Sequence, residues 1–443
     1  MEQKPMTARQ VALNALTARE QQGAWSDGVL RNLIRSSGLD QRDAALCARI
    51  CYGVLQNRLL LDFWIDEFSS IKTDRLEVRI ANCIRIGMYQ IAFMDRVPVS
   101  AAVNESVKLA KLSSRNRGAS RLVNGVLRSF SRSAGSLPQP AGEHRLSILY
   151  SHPQWLVDEF TAELGEEEVE DLLKEDNSQP PTCIQVNTLK ATVSGVKASL
   201  QEAGAQVQNH PWLENCLLAT HTGNLESLPS FQAGEWMVQD AAAKLSVMAC
   251  DPQPGEDILD VCAAPGGKSF AAAIAMKNQG RILACDIHSH KEKLIRDGGG
   301  RLGITIIETQ VQDGKKFRSS WEGAFDRLIV DVPCSGLGII RKKPDIRYKD
   351  PEQIKGLPRV QLDILNNVSR YVKPGGILLY STCTLLRREN QDVVSRFLEE
   401  HSDFSPVPVA LPEPVGYLPE GAITLWPHVH GTDGFFFAKL QRK

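Results

Sequence analysis

The chain has 443 residues, of which 42% are hydrophobic and 23% are charged. This length predicts two to four domains of about 100–200 residues each, and the composition excludes disordered, collagen-like and coiled-coil proteins. The net charge of −1 is unevenly spread, because residues 1–145 carry 21 Lys and Arg against 13 Asp and Glu.

The sequence predicts a cytosolic protein with reduced thiols. No apolar run approaches the roughly 20 residues of a membrane span, and the stretch Leu59–Ile65 is broken by Asp62. The N-terminus lacks the basic start and apolar stretch of a secretory signal. The ten cysteines include no CxxC pair, so we expect neither disulfides nor a metal site.

The first third of the chain is expected to form an all-helical domain over residues 1–140. Apolar residues recur at three- and four-residue spacing through residues 6–132, as in Ile80, Ile84 and Met88. The segment 133–143 is rich in Ser, Gly and Pro, which is typical of a linker.

A basic stretch lies near the end of this helical region. It contains seven basic residues and no acid: Lys108, Lys111, Arg115, Arg117, Arg121, Arg128 and Arg132. Such a pattern suits a nucleic-acid phosphate backbone, with Arg115, Arg117 and Arg121 as the expected contacts. A solvated helix face is the alternative that the sequence leaves open.

Residues 144–240 mix helix and strand patterns. We expect an acidic helix around Leu164–Lys174, a strand at 183–189, a helix over Val193–Ala203 and a strand at Cys216–Ala219. These elements predict a small α+β module.

Residues 241–443 show the pattern of alternating strands and helices that is typical of a parallel sheet. Five short apolar runs mark the expected strands: Ile258–Val261, Ile282–Cys285, Thr305–Ile307, Leu328–Val330 and Ile377–Tyr380. Asp260, Asp286 and Asp331 lie at strand ends, and Asp313 follows the third strand. Ligands bind at the carboxyl edge of such sheets, so these acids are candidate ligand contacts, although each alone could be a helix cap.

A glycine-rich turn joins the first of these strands to a helix. Its candidate cofactor-binding residues are Cys262, Ala263, Ala264, Pro265, Gly266, Gly267 and Lys268. A nucleotide phosphate loop would need glycine where Cys262 stands. The turn therefore favours an S-adenosylmethionine site, with Asp286 on the ribose hydroxyls and Asp313 beside the adenine.

Two cysteines follow neighbouring strands in polar turns. Cys334 lies in Asp331-Val-Pro-Cys-Ser-Gly-Leu-Gly338 and Cys383 in Tyr380-Ser-Thr-Cys-Thr384. Both thiols are expected to project toward one pocket, and two thiols alone lack the further ligands that zinc requires. Positive charge lowers the pKa of a thiol, and Lys268 and Arg341 are the candidates to supply it.

The segments LDVCAAPGGKS, DVPCSGLGIIRKKPDIRY, YSTCTLLRREN and GTDGFFFAKL resemble the Sun family of RNA cytosine-5 methyltransferases. The resemblance spans the chain. It implies a NusB-like all-α RNA-binding domain, a small α+β module that binds RNA or links the domains, and a Rossmann-like class I methyltransferase domain over 241–443. That last domain would contain a seven-stranded, mostly parallel sheet with Phe435–Leu440 as its antiparallel final strand.

The resemblance also implies a chemistry. Cys383 would add to C6 of a cytosine, Cys334 would assist loss of the C5 proton, and Asp331 would bind the cytosine edge and the cofactor. The methyl donor would be S-adenosylmethionine, with Lys268 at the catalytic site. The partner would be an unpaired or flipped cytosine of 16S ribosomal RNA, and the protein would act as a monomer.

Several alternatives stay open at this stage. DNA cytosine-5 methyltransferases perform the same addition but do not require Cys383. A transfer-RNA methyltransferase, an inert RNA-binding assembly factor and a nucleotide hydrolase are the others. Arg341, Lys342, Lys343 and Arg347 are expected to bind RNA phosphates or to lie in a solvated loop. Gly298–Gly300 predict a short or frayed helix.

Overall fold

The computed structural model describes residues 6–22, 27–114 and 116–443. These residues divide into two compact units. Unit 1 comprises Met1–Asn177 together with the short segment Lys343–Tyr348. Unit 2 comprises Ser178–Lys342 and Lys349–Lys443. The residues that follow Cys334 thus return briefly to the N-terminal unit before the chain continues in unit 2.

Unit 1 is helical where it is described, which confirms the all-helical prediction. Its helices are α1 Ala8–Gln22, α2 Asp27–Ser37, α3 Gln41–Gln56, α4 Arg58–Phe68, α5 Val78–Phe93, α6 Val99–Ser113, α7 Arg117–Arg132, α8 Arg145–Leu149, α9 Gln154–Leu164 and α10 Glu166–Glu175. The core is built around α5, whose Ile80, Ile84 and Met88 are buried at the predicted helical spacing.

The predicted acidic helix is present as α10. Gly165 separates it from α9 because its φ of +83° interrupts the helical backbone. Residues 144–177 group with unit 1, so α8, α9 and α10 pack with the N-terminal helices rather than with the α+β module.

The first part of unit 2 is a small antiparallel sheet with helices. Its elements are β1 Thr182–Val186, α11 Val193–Glu202, β2 Gln206–Asn209, β3 Cys216–Thr220, α12 Pro229–Gln232 and β4 Trp236–Val238. The strand order is β2-β3-β1-β4. Strands β1 and β3 were predicted, whereas β2 and β4 were not. Val196 and Leu200 of α11 pack on Ile184 and Trp236 of the sheet.

The second part of unit 2 contains the large sheet. Its strands are β5 Asp257–Asp260, β6 Arg281–Asp286, β7 Ile307–Val311, β8 Phe325–Asp331, β9 Val372–Thr382, β10 Phe404–Pro406, β13 Ala422–Leu425 and β14 Phe435–Arg442. The order is β10-β14-β9-β8-β5-β6-β7, and β13 also pairs with β14. Strands β11 Val409–Ala410 and β12 Tyr417–Leu418 form a separate pair.

The five strands β5 to β9 are parallel, and β14 is antiparallel to β9, as predicted. The mostly parallel sheet is therefore confirmed, with eight strands rather than seven because β13 adds to β14. The third predicted strand is displaced toward the C-terminus, from Thr305–Ile307 to β7.

Helices cover both faces of this sheet. They are α13 Ala241–Cys250, α14 Gly267–Ala275, α15 Ser289–Leu302, α16 Pro351–Ile354, α17 Leu357–Val368, α18 Gln391–Glu400 and α19 Pro427–His430. Alternate strand residues enter two cores: Ile258 packs with α13, α14 and α15, and Leu259 with α17 and α18. Among the described residues, no helix has the length and apolar character needed to cross a membrane.

Helix α15 runs through Gly298–Gly300 to Leu302 and is capped by Gly303, so the predicted short or frayed helix is wrong. A Cβ at Gly298 would lie 2.6 Å from the Phe270 ring, which fills this space from α14. The glycine therefore permits close packing of two helices.

The strand order places a topological switch at β5. The chain runs outward through β6 and β7 and then crosses to β8, on the other side of β5. Such a switch opens a crevice at the carboxyl edge of the sheet, where ligands bind. The predicted site residues follow β5, β6, β7, β8 and β9 at this edge.

Candidate active site

The turn between β5 and α14 is tight. Gly266 has a φ of +109°, and a Cβ there would collide with the Phe270 ring. The N–H of Gly266 donates to the carbonyl of Ala263 at 2.7 Å, which closes the turn. Residues 262–268 are thereby held at the carboxyl end of β5, beside the start of α14.

Asp286 and Asp313 lie at the carboxyl ends of the next strands. Asp286, which ends β6, is 7% exposed and accepts from the N–H of His288 at 3.0 Å. Its other oxygen lies 3.5 Å from Lys291 Nζ. Asp313 follows β7 and accepts from the N–H of Lys315 at 3.0 Å.

Asp260, at the end of β5, is fully buried. Ser269 Oγ donates to its Oδ2 at 2.6 Å, while Oδ1 has no hydrogen-bond partner among the described residues. Burial, with smaller contributions from the charges of Asp331 and Asp286, raises the pKa of Asp260 to about 7, although the Ser269 hydrogen bond and the charge of Lys268 lower it. Three acids from successive strand ends therefore act on one another at this edge.

The two predicted thiols meet. Cys334 Sγ and Cys383 Sγ are 3.3 Å apart, because β8 and β9 are parallel neighbours with Asp331 opposite Ser381. The hydrogen bond with Cys334 lowers the pKa of Cys383 below its ordinary value, and the positive charge of Lys268 lowers it further. The Cys383 partner and burial raise the pKa of Cys334 well above its usual range. Of the two thiols, Cys383 is thus the one that ionises more readily.

Lys268 and Asp331 form an ion pair beside these thiols. Lys268 Nζ donates to Asp331 Oδ2 at 2.6 Å, and Ser381 Oγ donates to Oδ1 at 2.8 Å. Burial alone would lower the pKa of Lys268, but the negative charge of Asp331 outweighs burial, and the pKa is raised. The ammonium group also lies 5.0 Å from the centre of the Phe435 ring. Lys268 is therefore a fixed cation at the site.

Two glycines cross directly behind the Cys334 turn. The N–H of Gly434 donates to the carbonyl of Gly338 at 2.8 Å. The N–H of Gly338 in turn donates to the carbonyl of Cys383 at 3.0 Å. A Cβ on Gly434 would lie 2.7 Å from Gly338 Cα. Only glycine allows the two backbones to approach this closely.

Lys342 is held by two carboxylates. Its Nζ lies 2.6 Å from Asp240 Oδ2 and 2.7 Å from Asp433 Oδ2. Burial would raise the pKa of Asp240, but the charge of Lys342 outweighs it, and the pKa is lowered. For Asp433 burial dominates and raises the pKa to about 7. Lys342 thus holds the loop after Cys334 in place. The sequence patterns did not predict either of its partners, Asp240 or Asp433.

Arg341 and Arg347 do not lie where RNA phosphates could reach them, which corrects the expected contacts. Arg341 is buried and donates to the carbonyl of Gly431. Arg347 is fully buried in unit 1. Its Nη1 donates to Asn177 Oδ1 at 2.9 Å and to the carbonyl of Tyr150 at 3.1 Å. Both guanidinium groups stabilise the protein itself.

The basic stretch of unit 1 begins in α6, with Lys108 and Lys111, and continues along α7. Arg121 and Arg128 are exposed, while Val123 and Leu127 are buried in the helical core. Arg115 and the side chain of Arg117 lie outside the described residues. The helix therefore offers a positively charged face whose opposite side is fixed by packing.

The sequence matches known families over most of its length. Residues 247–441 match the family described as 16S rRNA methyltransferase RsmB/F. Residues 6–132 match the NusB family, and residues 152–226 match the ferredoxin-like domain of RsmF/B-like methyltransferases. The NusB match covers the described helices α1 to α7 of unit 1.

Curated relatives are similar over almost the whole chain. The probable ribosomal RNA small subunit methyltransferase B of Bacillus subtilis is 37% identical over 99% of this chain and 100% of its own length. The Erwinia tasmaniensis ribosomal RNA small subunit methyltransferase B is 32% identical, again over 99% and 100%. A solved methyltransferase homolog from Pyrococcus horikoshii is 29% identical, with a TM-score of 0.58, over 67% of this chain and 98% of that one.

Proposed function

The chain belongs to the RsmB/F family of 16S rRNA methyltransferases, and from that premise we propose that it methylates C5 of a cytosine through a covalent Cys383 adduct. It is an S-adenosylmethionine-dependent ribosomal RNA methyltransferase. The observation that carries the proposal is the 3.3 Å separation of the Cys334 and Cys383 thiols. The cytosine, the adduct and the residue roles are the proposed part.

The carboxyl edge fits the cofactor. Asp260 keeps a buried oxygen without a described partner, and Asp286 presents a carboxylate at the end of β6. Hydroxyl and ammonium donors would satisfy such acceptors, so Asp286 would hold the ribose and Asp313 the adenine. Residues 262–268 would hold the methionine end beside the start of α14. When bound, S-adenosylmethionine supplies an electrophilic methyl group.

Cys383 would start the reaction as the nucleophile. Its thiolate would add to C6 of the cytosine, and the electrons of the C5–C6 double bond would make C5 nucleophilic toward the methyl group, whose bond to the donor sulfur would break as its bond to C5 forms. The hydrogen bond with Cys334 lowers the pKa of Cys383, and the charge of Lys268 adds to this effect, which supports the role. Asp331 would hold the base edge at N3 and N4.

Cys334 would complete the reaction. The pKa of Cys334 is raised chiefly by its hydrogen bond with the Cys383 sulfur beside it. Once that sulfur is bonded to C6, its negative charge is gone, and Cys334 would release its own proton to solvent more readily. The Cys334 thiolate can then accept the C5 proton, and breaking the bond between Cys383 and C6 restores the aromatic ring.

The exposed basic face of α7 would bind the ribosomal RNA backbone. The target cytosine must be unpaired or flipped, because C6 is inaccessible inside a stacked duplex. We further propose that the protein acts in the cytoplasm as a monomer.

Two cysteine substitutions test the proposed function. Small-subunit RNA from a strain that lacks the gene is incubated with S-adenosylmethionine and each variant. Cys383→Ser should abolish methyl transfer and adduct formation, since serine is a far weaker nucleophile. Cys334→Ser should accumulate a protein–RNA adduct that survives denaturing electrophoresis.

The control is Cys250→Ser, which alters a buried cysteine of α13 outside the site. It should release methylated RNA without a stable adduct. An adduct with Cys383→Ser would reverse the assigned roles. Absence of methyl transfer by the unmodified protein would favour an inert RNA-binding factor.

A further inference from the structure

A fully buried polar cluster lies directly behind the two thiols. We call it the thiol support, and its members are Ser335, Gln361, Thr382, Thr384, Glu389 and Asn390. All six have no exposed surface. Burying polar groups costs free energy unless they are hydrogen-bonded, so the contacts of this cluster indicate what it does.

Glu389 fixes the turn that carries Cys334. Its Oε2 accepts from the N–H of Ser335 at 2.9 Å and from Gln361 Nε2 at 2.8 Å. The same Gln361 nitrogen donates to the carbonyl of Pro333 at 3.0 Å. The residues on both sides of Cys334 are therefore held, directly or through one amide, by a single carboxylate.

Asn390 does the same for Cys383. Its Oδ1 accepts from Thr382 Oγ1 at 2.6 Å, and its Nδ2 donates to the carbonyl of Thr384 at 2.9 Å. Both neighbours of Cys383 are thus held by one side-chain amide, which supplies an acceptor to one and a donor to the other.

The two halves of the thiol support are joined. Glu389 and Asn390 are consecutive, and the hydroxyl of Tyr380 donates to the carbonyl of Glu389 at 2.6 Å. The hydroxyls of Ser335 and Thr384 lie 2.7 Å apart, which links the two cysteine turns directly. The position of each thiol is therefore set relative to one short piece of backbone.

We propose that Glu389 and Asn390 are positioning residues that set the separation of the two thiols, Glu389 by holding the Cys334 turn and Asn390 by holding the Cys383 turn. The inference rests on the proposed function, because that function assigns adduct formation to Cys383 and adduct release to Cys334. It predicts that the two residues affect different steps, although they are adjacent and equally buried.

Single-turnover kinetics separate these steps. Asn390→Ala should slow adduct formation by about tenfold and affect release less. Glu389→Ala should slow release by about tenfold, so that the adduct accumulates. Glu389→Gln keeps an acceptor oxygen for Ser335 and Gln361 and should stay within about threefold of the unmodified protein at both steps. The control is Glu399→Ala, an exposed residue of α18.

The thiol separation is measured without RNA. Phenylarsine oxide bonds to two nearby thiols with loss of water, so its affinity reports their spacing. We expect Glu389→Ala and Asn390→Ala to bind it about tenfold more weakly, and Glu389→Gln and Glu399→Ala to bind it like the unmodified protein. A thermal shift with S-adenosylhomocysteine checks that each variant is folded.

The two proposals fail in different ways. If Cys334→Ser traps no adduct, the proposed function fails, while the arsenical titration still tests the spacing. If Glu389→Ala binds phenylarsine oxide normally, or if both alanine variants slow both steps equally, the positioning role is overturned. If either alanine variant does not fold, the Glu389→Gln variant provides the test. If this variant binds phenylarsine oxide about tenfold more weakly than the unmodified protein, the acceptor oxygen does not have the proposed role.

Discussion

At the scale of single residues, Lys268 sets the charge of the site. It is held by Asp331 at 2.6 Å and lies over the Phe435 ring. Because its pKa is raised, it remains a cation at neutral pH. A fixed cation beside the two thiols favours ionisation of Cys383, whose pKa it helps the Cys334 hydrogen bond to lower.

Lys268→Met should move the pH dependence of Cys383 reactivity. Removing the cation raises the pKa of Cys383, so less thiolate is present at pH 7 and alkylation by iodoacetamide slows. The rate recovers as the pH rises through the higher pKa. Mass spectrometry of the Cys383 peptide across pH measures this shift, and Lys355→Met, an exposed lysine, is the control. An unchanged pH profile would remove Lys268 from this role.

Sequence patterns identified the two thiols that the structure brings together, but not the residues that hold them in place. Cys334 and Cys383 lie in recognisable turns, whereas Gln361 lies in the middle of α17, where nothing in the local pattern marks it. A hydrogen-bond partner is set by tertiary placement. The same reason explains why Arg341 and Arg347, which look like phosphate contacts in sequence, are buried.

At the scale of elements, glycines decide how closely helices pack. Gly298→Ala would place a Cβ 2.6 Å from the Phe270 ring, so we expect a loss of about 1–3 kcal/mol in the free energy of unfolding. Gly300→Ala meets nothing within 4 Å and should instead stabilise α15 by up to about 1 kcal/mol. Urea denaturation of the two variants measures the difference. Equal effects would mean that Phe270 does not limit this position.

The strands show where pattern reading succeeds and fails. Buried strands such as β8 were found because they are continuous apolar runs. Strand β2, Gln206–Asn209, is an edge strand with mostly exposed polar residues, so it carries no apolar signal. The prediction placed β7 too early in the chain. The apolar run Thr305–Ile307, which overlaps only the first residue of β7, gave the stronger local signal.

At the scale of the whole molecule, charge is segregated along the chain. The basic excess of residues 1–145 includes the exposed face of α7. A surface of this kind binds RNA largely by releasing counterions, which makes the affinity depend strongly on salt.

Lys111→Ala, Arg121→Ala and Arg128→Ala, combined in one variant, should weaken binding to ribosomal RNA and flatten its salt dependence. Each neutralised contact should reduce the slope of log affinity against log salt by about 0.7–0.9. Fluorescence anisotropy at several salt concentrations measures that slope. Replacing three exposed basic residues elsewhere, Lys277, Lys355 and Arg359, is the matched control. An unchanged slope would leave the basic stretch of α6 and α7 as a solvated surface.

The short segment Lys343–Tyr348 limits how this protein can be divided. The backbone passes between the two units three times, after Asn177, Lys342 and Tyr348. A fragment starting at Ser178 would keep Arg347 but lose the carbonyl oxygens of Gln56, Tyr150 and Ser151 that receive its guanidinium. Deleting the helical unit would therefore also remove the groups that hold Arg347. An evolutionary loss of that unit would require new residues at Lys343–Tyr348 as well.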